Sequence, residues 1–212
     1  MASTDKLTYF HAYARAEPTR MLYALHDKPL ADNRVTKDGW PSLKKDQPLG
    51  QMPVLECDEG TLLMSNSIAR YTAKKFGVMG RSLWEEALND MVVEVCSDCF
   101  QDLLKKIYEW EIFKRCPEPD NSVQLKAGIK DRIVKSMHFL QSIAEQRNRK
   151  FIINDQMNLA DVWLYNTLQF GIVAFPDIME LTPWVKEFVA KVQNEEKMKA
   201  YLASRPKTPF GI

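Results

Sequence analysis

The feature that most limits the fold is a change in hydrophobic period near residue 80. Before it, short runs of strand character alternate with helical stretches; after it, only helical spacing is left. Lys6-Leu-Thr-Tyr-Phe10 reads as a strand, 15–27 as a helix with Leu22 and Leu25 inward, and 32–37 as a short polar strand. Residues 54–57 and 61–63 flank Asp58-Glu59-Gly60, a hairpin turn, and a helix follows over 65–76. Such a pattern must cover a small sheet with helices, whereas the helices beyond it must bury one another.

A β-α-β segment followed by β-β-α is a thioredoxin-like arrangement. The expected organisation is an α/β thioredoxin-like domain over 1–77, a linker over 78–83 that follows Gly77 and contains Gly80, and an all-α helical domain over 84–212. In the second half Leu88, Val92, Val95, Cys99 and Leu103 form one stripe of a helix over 83–114, which Cys116-Pro-Glu-Pro breaks. Another helix is expected over 122–146. Asn158-Leu-Ala-Asp161 reads as a capping box, with Met157 and Val162 as its apolar staple. Helices over 183–194 and 195–203 complete the pattern.

Charge excludes two classes of partner. With 29 basic and 28 acidic residues in 212, the formal net charge is +1 and no long run has one sign, so neither nucleic acid nor a membrane surface is an expected partner. No stretch approaches the ~20 apolar residues of a membrane span, and Met-Ala-Ser-Thr-Asp-Lys has no apolar signal core; a cytoplasmic protein is expected. The four cysteines are too few for a disulfide scaffold. Cys96-Ser-Asp-Cys99 lies inside a helical pattern, where packing is the simpler role.

The stretch that carries chemistry is Gln51-Met52-Pro53-Val54-Leu55. A proline cannot donate to a sheet ladder and so belongs at the start of a strand or on an edge, which leaves the Met52 amide and carbonyl open. Ser65 heads the next helix, as a cap or as part of an anion site at the helix N-terminus. An open backbone edge beside a helix start suits a small anionic peptide.

In order along the chain, Leu7-Thr-Tyr-Phe10, Arg15-Ala-Glu-Pro18 with Arg20, Trp40-Pro-Ser-Leu-Lys44, Gly50-Gln-Met-Pro-Val-Leu55, Ser65, Ile68-Ala-Arg-Tyr71, Leu159-Ala-Asp161 and Arg205-Pro-Lys-Thr-Pro-Phe210 resemble the cytosolic glutathione S-transferases. The similarity is greatest to the sigma class, which includes helminth and arthropod transferases, glutathione-dependent prostaglandin D synthases and the S-crystallins. It implies that glutathione is the co-substrate and that the proline matching Pro53 is cis. Tyr9, a packing residue on spacing alone, then matches the tyrosine whose hydroxyl donates to the glutathione sulfur and favours the thiolate. Arg15 matches an arginine near the sulfur, Trp40 and Lys44 hold the glycine carboxylate, Gln51, Met52 and Pro53 meet the peptide backbone, and Met64 with Ser65 meets the γ-glutamyl end. Asp98 of the partner subunit reaches the glutathione amine in a homodimer. The pocket for a small hydrophobic electrophile is expected from Phe10, Ala12 and Tyr13 together with Leu104, Tyr108, Trp163 and Phe210. Conjugation, with peroxide reduction as a side activity, is the implied reaction. Isomerisation of prostaglandin H2 to D2, and a weakly catalytic binding or structural role, are the alternatives.

Two departures from the resemblance stand out. Met64 occupies a position usually held by Gln or Glu, and His11-Ala-Tyr-Ala14 replaces a loop in which arginine and glycine are usual. Independently of any family, Glu86, Asp90, Glu94, Asp98 and Asp102 are spaced by four and form an acidic ridge, either solvated or matched by a cation; the dimer that the resemblance implies offers Arg70 and Lys74 of the second copy to Glu86 or Asp90. No obligatory metal is expected, because Ser97 stands where one metal-binding acid of the prostaglandin synthases would be.

Overall fold

The computed structural model describes residues 4–209, and these divide into two compact units, 4–79 with 196–209, and 80–195. The division between them falls at residues 79 and 80. The last helix and the residues after it belong to the first unit.

The first unit is built on four strands, β1 (Lys6–Phe10), β2 (Ala31–Val35), β3 (Val54–Cys57) and β4 (Gly60–Leu63), in the order β2-β1-β3-β4. β2 runs parallel to β1, while β3 is antiparallel to both β1 and β4. Leu7 faces Leu55 across the β1–β3 pair, and both are fully buried with Met21 and Leu22 of α1 (Glu17–Leu25) and Ile68, Ala69 and Ala73 of α3 (Ser65–Lys75). The first helix starts two residues later than its apolar pattern suggests. Ala14–Ala16 form a tight 3-10 turn that carries Arg15, and Pro18 sits in the first turn of α1, where a missing amide costs nothing. α2 (Trp40–Lys44) is short and buries none of its residues. The helix closing the unit, α10 (Glu196–Ser204), packs on α1.

The second unit is helical throughout: α4 (Leu83–Leu103), α5 (Glu109–Glu111), α6 (Ser122–Arg147), α7 (Leu159–Ala174), α8 (Ile178–Leu181) and α9 (Pro183–Asn194). Ser82 caps α4 by accepting from the Glu85 amide at 3.2 Å, and Glu85 accepts in return from the Arg81 amide at 2.9 Å. The continuous helix expected over 83–114 is interrupted by a π-helical turn at Leu104–Tyr108. There the Tyr108 hydroxyl donates to the Phe170 carbonyl at 2.9 Å, and Trp110 Nε1 donates to the Lys106 carbonyl. α7 is apolar nearly all round because it is the central helix, buried from Leu159 to Leu168. Its capping box forms as expected: Asn158 accepts from the Asp161 amide and also from the Ala160 amide, while Asp161 accepts from the Asn158 and Ile152 amides. Burial pushes the Asp161 carboxyl up to about 7, against those two amides. Cys96 and Cys99 are buried, free thiols on α4, and desolvation raises both. Among the described residues no helix is long and apolar enough to cross a membrane.

Candidate functional site

The strand register brings the chemistry-bearing residues of the first unit to one end of its sheet. Thr8 pairs with Val54 and Val54 with Leu63, so Tyr9, which follows Thr8, Pro53, which precedes Val54, and Met64, which follows Leu63, stand at the same end of three neighbouring strands, with Met52 and Ser65 one residue further on. The Met52–Pro53 peptide is cis. Neither the amide nor the carbonyl of Met52 has a backbone partner among the described residues, since β3 begins only at Val54. The open edge expected from the sequence is therefore present.

Beside it stands the uncapped start of α3. Met64 is the N-cap residue, with φ 69° and ψ 117°, and its carbonyl accepts from the Ile68 amide at 2.9 Å. A thioether side chain is a poor cap, and Met64 makes no side-chain cap bond to the amides of α3. A non-glycine residue at such a φ is strained, and strain of this kind gathers where a ligand is clamped. Ser65 is buried next to it, while the Met64 side chain is 59% exposed. Helix N-termini left open in this way favour a carboxylate.

Tyr9 is 6% exposed at the end of β1, with its ring edge-on to Phe10 at 5.6 Å. Phe10 in turn meets Trp40 edge-on at 5.3 Å, which ties α2 to the same end of the sheet. Trp40 and Lys44 lie one turn apart on α2, as their spacing predicts. The Lys44 stem runs along Gly50, whose φ of 55° favours glycine. Arg15 is half-buried in the 3-10 turn, Gln51 is exposed and Pro53 buried.

Other expected positions are placed differently. Tyr13 is 6% exposed, and its ring is covered by the Arg205 guanidinium, whose Cζ lies 3.8 Å from the ring centroid. It is seated against the tail and does not line an open surface. In the second unit Tyr108 and Trp163 are both fully buried; Trp163 packs edge-on to Phe100 at 6.1 Å. Both aromatic side chains are packed into the interior of this unit. Leu104 is half-buried, Ala12 is half-buried in the β1–α1 turn, and Phe210 lies outside the described residues. Asp98 is exposed on α4, while Asp102, at the end of the acidic ridge, is buried and paired with Lys106 at 2.6 Å and Arg132 at 2.9 Å.

Sequence reasoning gave no role to a charged cluster beneath the β1–α1 turn. Glu17 is fully buried; its Oε2 lies 3.3 Å from Arg20 Nη1, and its Oε1 accepts from Arg205 at 2.7 Å and from the Tyr201 hydroxyl at 2.9 Å. Arg20, 3% exposed, also pairs with Asp32 at 2.9 Å and donates to the Ala12 carbonyl at 2.7 Å. Its Cζ is 5.9 Å from the Tyr9 ring centroid. The i, i+3 spacing of Glu17 and Arg20 was the only local signal for this cluster.

Comparison with known proteins gives the family of the chain. Residues 5–74 match the model of the glutathione S-transferase N-terminal domain, and residues 101–205 that of the glutathione S-transferase C-terminal domain. A glutathione S-transferase of Anopheles gambiae is 30% identical over 206 residues, covering 96% of this chain and 97% of the relative. The crystal structure of Na-GST-3 from the hookworm Necator americanus, described as monomeric, superposes with a TM-score of 0.87 at 29% identity, covering 98% of this chain and 100% of that one. A sigma class transferase of Fasciola hepatica gives 0.84 at 26% identity, with 98% of this chain and 99% of that one covered. With both family domains matched and the similarity running along nearly the whole chain, the protein belongs to the glutathione S-transferase family and resembles its sigma class.

Proposed function

We propose that this glutathione S-transferase ionises the glutathione thiol with the Tyr9 hydroxyl and adds the thiolate to small hydrophobic electrophiles. The observation that carries this reading is the meeting of Tyr9, the open Met52 backbone and the uncapped start of α3 at one end of one sheet. In this reading the Met52 backbone pairs with the cysteinyl part of glutathione, and Ser65 with the first-turn amides of α3 takes the γ-glutamyl carboxylate. Trp40 and Lys44 take the glycine carboxylate, one as an N–H donor and the other as a cation. Gln51 and Pro53 flank the peptide, and Met64 offers only its backbone.

The Tyr9 hydroxyl then donates to the sulfur. Donation to the charged form favours it, so the thiol gives its proton to water and the thiolate remains, with the Arg15 charge beside it. The sulfur electron pair forms the bond to the electrophilic carbon as the leaving group departs with its own pair.

Glutathione binding and turnover of a chlorinated nitroarene, compared between native protein and Tyr9→Phe, test the reading. A thiol with an ordinary pKa of ~8.5 is about 1% ionised at pH 6.5, against about half if the site lowers it to that value. Tyr9→Phe is therefore expected to lose roughly 50-fold in kcat/KM at that pH while binding glutathione normally. Native turnover in Tyr9→Phe would refute the role.

The reading includes a homodimer in which Asp98 of the partner subunit meets the glutathione amine. The exposed acids Glu94 and Asp98 on α4, and Lys74 on α3, support it. Sedimentation gives the test, since a stable monomer, as Na-GST-3 is described, removes Asp98 from the site.

A further inference from the structure

We propose that the tail after α10 is a strap that positions the β1–α1 turn, with Arg205 as the residue that sets where Tyr9 and Arg15 stand. The proposal rests on the reading that Tyr9 acts at the thiol.

The turn from His11 to Ala16 needs outside support. Ala14 holds a φ of 40°, in the left-handed region that an alanine enters at a cost. Its backbone bonds include those from the His11 amide to Val35, from the Ala12 amide to Phe10 and from the Glu17 amide to the Ala14 carbonyl. From within, Arg20 Nη1 binds the carbonyls of Ala12 at 2.7 Å and Tyr13 at 3.4 Å.

From the other side comes the tail. The Arg205 guanidinium lies over the Tyr13 ring at 3.8 Å and bonds Glu17 at 2.7 Å; two residues on, the Lys207 carbonyl meets His11 Nε2 at 3.0 Å. A carbonyl can only accept, so His11 presents Nε2–H. Three consecutive parts of the turn, His11, Tyr13 and the Glu17 that ends it, are thus tied to a segment nearly two hundred residues away in the chain.

Glu17 couples the two sides. One oxygen serves Arg205 and the other Arg20, the residue whose guanidinium also stands beside the Tyr9 ring. Moving Arg205 therefore moves the platform on which the Tyr9 hydroxyl is aimed. Positioning of this kind acts on the reacting atoms and leaves the binding of glutathione by Met52 and Ser65 alone. Its signature is a changed kcat and thiol pKa with an unchanged KM for glutathione.

The test compares Arg205→Met, Arg205→Lys and His11→Phe as full-length proteins, reading the pH profile of kcat/KM with a chlorinated nitroarene and the KM for glutathione. A misplacement approaching 1 Å can cost ~100-fold, so Arg205→Met is expected to lose about ten-fold in kcat/KM and to raise the thiol pKa by about half a unit, with KM for glutathione within about two-fold. Arg205→Lys, which keeps the charge on Glu17 but not the planar stack, is expected to recover part of the loss. His11→Phe leaves the buried cluster intact and so folds whatever Arg205→Met does; its expected loss is about two- to three-fold in the same direction. A native pH profile in His11→Phe or in folded Arg205→Met, or a loss confined to KM for glutathione, overturns the strap. Tyr9→Phe separates the two ideas. If it leaves the thiol pKa unchanged, both fall; if it raises the pKa while the strap variants stay native, only the strap falls.

Discussion

Glu17→Gln probes the charged cluster most directly. The wild-type carboxylate has no exposed surface, and each of its oxygens faces an arginine, Arg20 at 3.3 Å and Arg205 at 2.7 Å. Glutamine has the same shape but only one acceptor oxygen. Its NH2 group must face one of the two guanidinium groups, donor against donor, while the buried positive charge is left without its counter-ion. Breaking a buried pair from one side costs ~3–5 kcal/mol. Arg20 keeps Asp32 at 2.9 Å, and the Arg205 side chain is still 12% exposed, so the lower end applies, about 3 kcal/mol. At about 2–4 °C per kcal/mol for a chain of this size, the melting temperature should fall by roughly 6–12 °C.

The second arm of the experiment is a cycle with Arg205→Gln. Removing that arginine as well takes away the charge that Glu17→Gln strands, so the double variant should melt above the sum of the two single losses, with a coupling of about 1–3 kcal/mol. Thermal melts followed by circular dichroism at fixed pH and salt supply all four corners. A loss under about 1 kcal/mol for Glu17→Gln, or strict additivity in the cycle, would refute the view that Glu17 holds the two arginines together.

Two further expectations concern single positions. Met64→Gln should tighten glutathione binding, measured by titration calorimetry: a hydrogen bond to a charged group contributes about 1.5–3 kcal/mol, or roughly ten- to 150-fold in Kd, and the exposed Met64 side chain gives up no packing. Unchanged affinity would mean that another group already serves the γ-glutamyl end. Asp161→Asn leaves one oxygen where the carboxylate now takes two amides, those of Ile152 and Asn158, and turns an NH2 group on the second. The expected loss is about 1–3 kcal/mol by denaturant unfolding, and a neutral result would show that α7 needs no cap to start.

Much of the site was legible in the sequence because its signals are local. Pro53 before an apolar run and Ser65 after a hairpin mark an open strand start and a helix start by residue chemistry alone, and the register then brings both to one end of the sheet. Trp40 and Lys44 followed from helical spacing. Less legible were the residues whose role depends on what packs over them. Tyr13, Tyr108 and Trp163 are aromatic, and pattern cannot separate an aromatic that lines a pocket from one that fills a core. The structure seats one under an arginine and buries the other two completely. Likewise the stripe from Leu88 to Leu103 extends without a break in sequence, yet the helix changes to a π turn at Leu104, where Tyr108 reaches the Phe170 carbonyl in α7.

By itself, then, the sequence determined the two periods, the boundary near residue 80, the strand and helix starts and the sheet end on which glutathione chemistry is expected. Each depends on neighbours within a few positions, where sterics and hydrogen bonding leave few choices. Only the tertiary structure decided that Arg205 meets Glu17 and Tyr13, that the last helix joins the first unit, and that Arg20 stands beside Tyr9. Glu17 and Arg205 lie 188 residues apart, and any of the 28 acidic residues offers an arginine the same charge; the path of the chain selects one of them and buries it.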